Sequence, residues 1–338
     1  MKLTNASVFS PFIFAAYGQE DELLNVVICR GTFDLQSDGR LTISSDQSPV
    51  ILADQYRTDP LVSSVQVDTD LVPHKFVSDI TLNAIAHAPH SKPSTNWDVS
   101  IRVGEISKSL RVTGPRHWRF SNLIGWQLST AEPTMAVPLQ FEYAFGGSYR
   151  RHDEQIVFEP NPVGRGFVDP RHVDRRLPIP AAQIEQCDTP IDKFGEIYEP
   201  VGVGPIAKHW LPRRNLCGTA DDLWKETRWP FRPLNFDFSY YNSSPNGLRY
   251  PGYLSGAEEV FISGCSPERE ISFNLPGIRL GIFATDVRMN LTVETMLLDT
   301  LHIDLVSSKV YCTWRRNFRV EAILDTLLII PGPNLIRN

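Results

Sequence analysis

The alternation on either side of Gly104-Glu105 constrains this chain most. Val99, Ile101 and Val103 alternate with Ser100 and Arg102 before it, and Ile106, Leu110 and Val112 alternate with Ser107, Ser109 and Arg111 after it. Successive side chains on a strand point to opposite faces, so each arm buries one face and wets the other. Gly104-Glu105 suits a two-residue turn with positive φ at its first central residue, which a residue without Cβ adopts at little steric cost. An antiparallel hairpin is expected here. The arm before it, Phe76 to Ala88, reads as a third strand closed by Ala88-Pro89, and three strands in a row predict a meander.

Similar signals recur along the chain. Asn25 to Leu35 is β-rich, and Ser37-Asp38-Gly39 turns it into a second arm, Leu41 to Ser44. Val65 and Val67 alternate. Leu139, Phe141 and Tyr143 predict a strand running up to Gly146-Gly147, where adjacent glycines end or bulge it. Val260 and Ile262 face Ile271, Phe273 and Leu275 across the turn Ser266-Pro267-Glu268-Arg269. Leu301, Ile303 and Leu305 precede Ser307-Ser308-Lys309, after which Val310, Cys312 and Trp314 return. Thr219 to Trp229 reads as a short helix with Thr219 as N-cap, Asp222 three residues on, Leu223 and Trp224 as its apolar side, and Pro230 as its stop.

From Glu159 to Pro212 the periodicity fades and prolines crowd, from Pro160 and Pro162 to Pro205 and Pro212. Fixed φ and missing donors predict an extended connection with little regular structure. Ile156, Phe158, Phe167, Ile184, Phe194 and Ile197 are apolar anchors, so this connection is expected to pack on the core. The organisation is then an N-terminal β-rich part (1–150), a proline-rich wrap (151–212) and a C-terminal β-rich part (213–338), forming one integrated unit. Strands outnumber helices and no βαβ alternation occurs, so the class is mainly β, with hairpins and meanders in a sandwich or barrel-like unit and one or two short helices.

Composition excludes several functions. The 338 residues are 42% hydrophobic and 21% charged, a balance that supports a packed core. A formal net charge of −6 without a long Lys/Arg run argues against nucleic acid and against an anionic membrane surface as partners. No apolar stretch reaches the roughly 18 residues needed to span a bilayer. The N-terminal run MKLTNASVFSPFIFAAYG is interrupted by Ser10 and Pro11, which weakens its likeness to a signal peptide. Five dispersed cysteines without a CxxC pair fit free thiols in a reducing cytoplasm.

The candidate chemistry is sparse. His87 and His90 have HxxH spacing, but no further metal ligand stands at a typical distance in sequence. Cys217 follows His209 without anything that orients the pair, so a buried free thiol is the simpler reading. Asp237, Glu258 and Glu259 lie among Trp229, Phe231, Phe236, Tyr240, Tyr241 and Tyr253. Sugar hydrolysis needs such a setting, since rings stack on pyranose faces and two carboxyls share acid and base work. The same aromatics also serve as core and loop anchors. Gly202, Gly204 and Gly218 precede no Lys-Ser/Thr and make no phosphate loop. No cofactor or small-molecule substrate is expected.

Several phrases, in order, go further: CRGTFDL with DGRL, DLVPHKFVSDI with AIAHAP, VGEISKSLRVTGPRHW, PLQFEYAFGG, NPVGRGF, GPIAKHWLPRRNLCGTADDLW and YLSGAEEVFISG with LPG. Together they resemble a bacterial family of unknown function whose members are encoded beside type VI secretion spike and PAAR-repeat genes. The likeness runs from about Asn5 to Arg316. It departs at charged positions: Arg30 stands for a Lys, Phe76 for a Pro, Tyr143 for an Arg and Ala257 for an Asp, and Gly114-Pro115-Arg116-His117-Trp118 replaces Gly-Asp-Arg-x-Trp. The resemblance supplies no catalytic set. Its signature residues, Arg116, Trp118, Glu142, Phe145, Gly146, Gly147, Asn161, Pro162, Gly164, Trp210, Arg213, Gly218, Asp221, Trp224 and Glu258, are expected to be structural, with each Arg bracing carbonyls or a carboxylate near an indole face.

The resemblance implies a non-enzymatic cytoplasmic adaptor that binds a toxic effector and helps seat it on the VgrG or PAAR tip. Its partners would be the effector and the spike protein, held by an apolar or strand-edge surface. The alternatives are a carbohydrate-active enzyme or sugar-binding module using the Trp229–Glu259 cluster, and a structural component carried with the secretion particle.

Overall fold

The Gly104-Glu105 hairpin forms as its alternation predicts. Strands Asn96–Val103 and Ile106–Thr113 pair antiparallel with Ile106 opposite Val103, and Gly104 has φ 54°. The computed structural model describes residues 2–268, 270–320 and 324–332. Arg269 of the expected turn lies outside the described residues. The hairpin is the centre of a five-stranded antiparallel sheet, flanked by Ile184–Glu185 on one side and by Glu259–Ser263 with Ile271–Asn274 on the other. Its inward residues, Val99, Ile101, Val103, Leu110, Val112, Val260, Ile262 and Phe273, enter the main apolar core.

A seven-stranded sheet shares that core. Its order is Ser10–Tyr17, Leu23–Leu35, Lys309–Arg319, Leu297–Asp304, Ser78–Asn83 and Arg249–Tyr250, with Leu41–Ile43 added on Leu23–Leu35. Val27, Cys29, Phe33, Ile80, Leu82, Leu301, Ile303, Val310, Cys312 and Trp314 form its apolar face. Two sheets joined through one core make the architecture sandwich-like and mainly β, and among the described residues no sheet closes into a barrel. A four-stranded sheet, Lys2–Asn5, Leu324–Pro331, Leu280–Asp286 and Leu291–Thr295, adds Leu280, Ile282, Leu327 and Ile329 to the same core. No helix among the described residues is long and apolar enough to cross a membrane.

Four expectations are corrected. Phe76 to Ala88 does not continue a meander: Ser78–Asn83 joins the seven-stranded sheet, parallel to Leu297–Asp304, while Ile85–His87 pairs with Ala136–Pro138. Leu139 to Tyr143 is no strand, because Phe141–Tyr143 forms a 3-10 turn and the short strand Phe145–Gly146 begins beyond it. The helix is shorter than expected, Asp222–Thr227, and its N-cap is Asp221, whose carboxylate accepts the Trp224 N–H at 2.8 Å. Thr219 is held instead by Asn235, and Leu223 is 68% exposed, so this helix buries no apolar side. Ile197 is 63% exposed and anchors nothing.

The other face of the seven-stranded sheet carries a small apolar cluster around Val26, Ile28 and Val50, and beside it a polar region that is still buried. A bulge between Leu298 and Thr300 lets Leu298 and Leu301 both enter the apolar core, so that Asp299 and Thr300 turn together to the polar side. There Arg315 Nε donates to Asp299 at 2.6 Å, and Lys75 Nζ donates to Thr300 at 2.9 Å and to Asp79 at 2.8 Å. Asp79 also accepts from the Ser244 hydroxyl at 2.6 Å and the Ser243 N–H at 2.9 Å. Burial alone would raise its carboxyl, but Lys75 and these donors outweigh burial and hold it at about 2. Burial, reinforced by the Arg30 guanidinium, lowers His302 to about 4.

Both groups are depressed in the folded state, so the unfolded chain binds more protons in the window between each folded and unfolded value. Stability should be full above about 6.5, fall as His302 titrates towards about 4, and fall again as Asp79 titrates from 3.8 towards about 2. Urea unfolding between neutrality and about pH 4 should show the first loss, on the order of 3 kcal/mol. In His302→Gln that limb should flatten, and an unchanged slope would remove His302 as its source.

Candidate functional site

The stretches PLQFEYAFGG and NPVGRGF meet at Asn161, which is fully buried. Its Nδ2 donates to the carbonyls of Phe141 at 2.8 Å and Phe145 at 3.0 Å, which fixes the turn between them. Gly147 N–H donates to Asn161 O at 2.8 Å, and Phe145–Gly146 runs parallel to Arg165–Gly166. Gly146 has φ 150° and Gly147 φ 102°, and a Cβ at either position would strike the backbone of Asn161 or Gly164. Glu142 ties the same turn to another loop, accepting from the Ser64 N–H and hydroxyl at 2.8 Å each. Gly164 approaches Ala144 O so closely that a Cβ would lie 2.7 Å from it, and Pro162 is half-buried beside it.

Above this crossing lies a groove of about 520 Å³. Phe141 and Ile206 come to it from the main core, and Phe158 and Tyr198 from a second core that includes Trp118, Phe145 and Phe194. The proline-rich stretch supplies most of the remaining wall through Pro160, Ile197, Pro200, Leu211 and Pro212. Phe141 is set edge-on against Trp210 at 5.5 Å, and the Tyr198 hydroxyl accepts the Lys193 N–H at 3.0 Å, so both rings are fixed from behind. Lys108 and Arg249 give the groove its positive charge and Glu199 its negative charge.

The remaining signature residues surround this region. Arg116 Nη2 donates to Glu185 at 2.8 Å and to Ala182 O at 3.0 Å. Arg213 meets Asp68 through both terminal nitrogens at 3.2 Å and donates to Ile206 O at 2.6 Å and Tyr240 O at 2.7 Å. The ring near Arg213 is Tyr240, at 5.5 Å, and not an indole. Gly218, with φ 75°, ends the 3-10 turn Arg213–Cys217, and the Trp224 indole N–H donates to Phe231 O at 2.9 Å. The family described as "Uncharacterized protein conserved in bacteria (DUF2169)" matches residues 20–315.

This chain belongs to the DUF2169 family. No curated protein and no solved structure matches it.

The chemistry candidates of this DUF2169 protein are dispersed. Asp237 caps the turn Phe238–Tyr241 by accepting the Ser239 N–H at 2.8 Å, while Glu258 accepts from the N–H groups of Ser255 at 2.6 Å and Gly256 at 3.0 Å. The two carboxylates thus serve separate turns. Cys217 contacts its neighbour's carbonyl at 3.6 Å, and His209 lies against Trp210. His90 sits at φ 58° in a loop, and among the described residues no group of three or more His, Cys, Asp or Glu is placed to hold a metal ion.

Sequence reasoning missed Lys108. It occupies the inward phase of its strand, opposite Ile101 and between Ile106 and Leu110. A cation where the alternation calls for an apolar residue was the signal.

Trp118 is buried in the second core, edge-on to Phe194 at 5.4 Å. Trp118→Ala should cost about 3 to 5 kcal/mol of unfolding free energy, whereas Ile197→Ser should stay within about 0.5 kcal/mol. Paired denaturant titrations would check both, and a Trp118→Ala protein of unchanged stability would separate the second core from the folding of the chain.

Proposed function

We propose that this DUF2169 protein is a non-enzymatic cytoplasmic adaptor that binds a type VI secretion effector and helps load it onto the VgrG/PAAR spike. The observation that carries this reading is the apolar groove of the proline-rich stretch, with its fixed floor of Phe141, Phe158 and Tyr198 and its exposed rim at Ile197. A groove of this kind takes an extended apolar segment of a partner. The ordered phrases that resemble adaptor proteins support the same reading. Paired-carboxylate hydrolysis gains little support, because Asp237 and Glu258 are each engaged in a backbone turn of their own.

The adaptor should form a stable complex with an effector encoded beside it, burying about 1,200 to 2,000 Å² in total. Co-expression and pull-down should recover the pair, and deleting the adaptor gene should stop export of that effector while other cargo is still fired. Ile197→Asp should weaken capture roughly tenfold or more without loss of folding. Normal export of the neighbouring effector from the deletion strain would refute the adaptor reading.

A further inference from the structure

Lys108 is an anomaly in energetic terms. Its strand position faces the core, its stem packs 3.6 Å from where a Cβ of Gly247 would lie, and its ammonium donates to the Asn246 carbonyl at 2.5 Å. Burial lowers its pKa, and the charge of Glu199 offsets that only in part. Lys108 forms no ion pair among the described residues, and neither does Arg249, whose Nε donates to Ser244 O at 3.1 Å. Other buried or half-buried cations near the proline-rich stretch do have a carboxylate: Lys208 has Asp54 at 2.8 Å, Arg116 has Glu185 at 2.8 Å and Arg213 has Asp68 at 3.2 Å. Glu199, the carboxylate of the groove, accepts from Gln186 at 3.0 Å and does not close on Lys108.

A desolvated cation without a counter-charge costs stability. Lys108 is such a cation in part, and together with Arg249 it lines an apolar groove that a partner segment would fill.

We infer that the groove recognises a carboxylate on its occupant: an extended effector segment with bulky apolar side chains and an acidic residue, whose carboxylate is taken by Lys108 and Arg249. This inference rests on the adaptor reading and adds the chemistry of the segment. Phe141, Phe158, Tyr198 and Leu211 take the apolar side chains. The carboxylate supplies the counter-charge that Lys108 lacks, and a charge-assisted hydrogen bond inside an apolar groove is stronger than one in water. Specificity follows from the same arrangement, since a segment with an uncharged side chain at that point would leave the ammonium covered and unpaired.

The test uses the full chain and two synthetic peptides, acetyl-Leu-Pro-Ile-Glu-amide and its Gln counterpart, titrated calorimetrically at fixed ionic strength. The Glu peptide should bind about tenfold or more tightly than the Gln peptide, a difference of about 1.4 kcal/mol. Lys108→Met should erase that preference and raise the urea midpoint, because it relieves the buried charge. A merely structural lysine would not produce this pairing of lost selectivity with gained stability. Arg249→Gln should reduce the preference on its own.

Equal affinity of the wild-type protein for both peptides, binding of neither, or an unchanged preference in both variants would overturn the inference. Pull-down with the co-encoded effector separates the two readings. If the Lys108→Met, Arg249→Gln protein captures the effector as the wild type does, the carboxylate anchor fails and the adaptor stands. If the wild type captures none, the adaptor reading itself fails.

Discussion

A buried layer of charge between the seven-stranded sheet and the loops that cover it is what the rest of the structure depends on. Taking a carboxylate out of water costs several kcal/mol, and only complete geometry offsets that. Asp70 has it: Arg30 donates at 3.1 Å, the Thr313 hydroxyl at 3.0 Å and the Ile51 N–H at 2.9 Å. Asp79 has it through Lys75, Asn242, Ser243 and Ser244. Asp79 lies on a strand and its partners on covering loops, whereas Asp70 lies on a loop and takes Arg30 and Thr313 from strands, so these contacts seat the loops on the sheet. Arg213 carries the layer to the groove, since it binds Asp68 and also holds the Ile206 carbonyl, and Ile206 is part of the groove wall.

Arg30 shows how one side chain joins the layer to an aromatic ring. Its guanidinium lies 4.7 Å over the Tyr311 ring while it donates to Asp70 and Thr313. A lysine would reach the carboxylate but has no planar face to lay on the ring. Arg30 therefore supplies both the charge of the layer and a stacking contact.

The hairpins were legible because their information is local. Alternation and a turn residue at Gly39 or Gly104 set the pairing of strands only a few residues apart. Ser78–Asn83 misled for a definite reason: its sequence alternates polar and apolar as if one face were wet, yet all six residues are buried. The polar face is covered by loops that bring their own charges, and its parallel partner, Leu297–Asp304, lies far off in sequence. Phe141–Tyr143 misled similarly. Its strand-like pattern is overridden by the side chain of Asn161, which takes the Phe141 carbonyl from 20 residues away. Of the groove, the proline-rich wall was foreseen, because prolines and apolar anchors announce a packed loop. The cation beneath it was not, because a single lysine in an apolar phase reads as noise until Asn246 and Gly247 are seen to hold it in place.

Two constraints meet at the groove and bear on how a partner would be held. Its floor is fixed from behind: Asn161 holds the Phe141 carbonyl, Trp210 holds the Phe141 ring, and the Lys193 N–H holds the Tyr198 hydroxyl. Little side-chain entropy is then left to lose on docking, which is the cost that most reduces affinity per unit of buried area. Its rim is apolar and exposed at Ile197, so docking removes hydrocarbon from water where the free protein leaves it wet. Lys108 works in the opposite sense in the free protein, since its place in the apolar phase of the hairpin weakens the element that is otherwise best specified. A rigid apolar floor would accept many hydrophobic segments almost equally. A cation short of its counter-charge discriminates among them, and the discrimination comes at the expense of a hairpin stable enough to bear it.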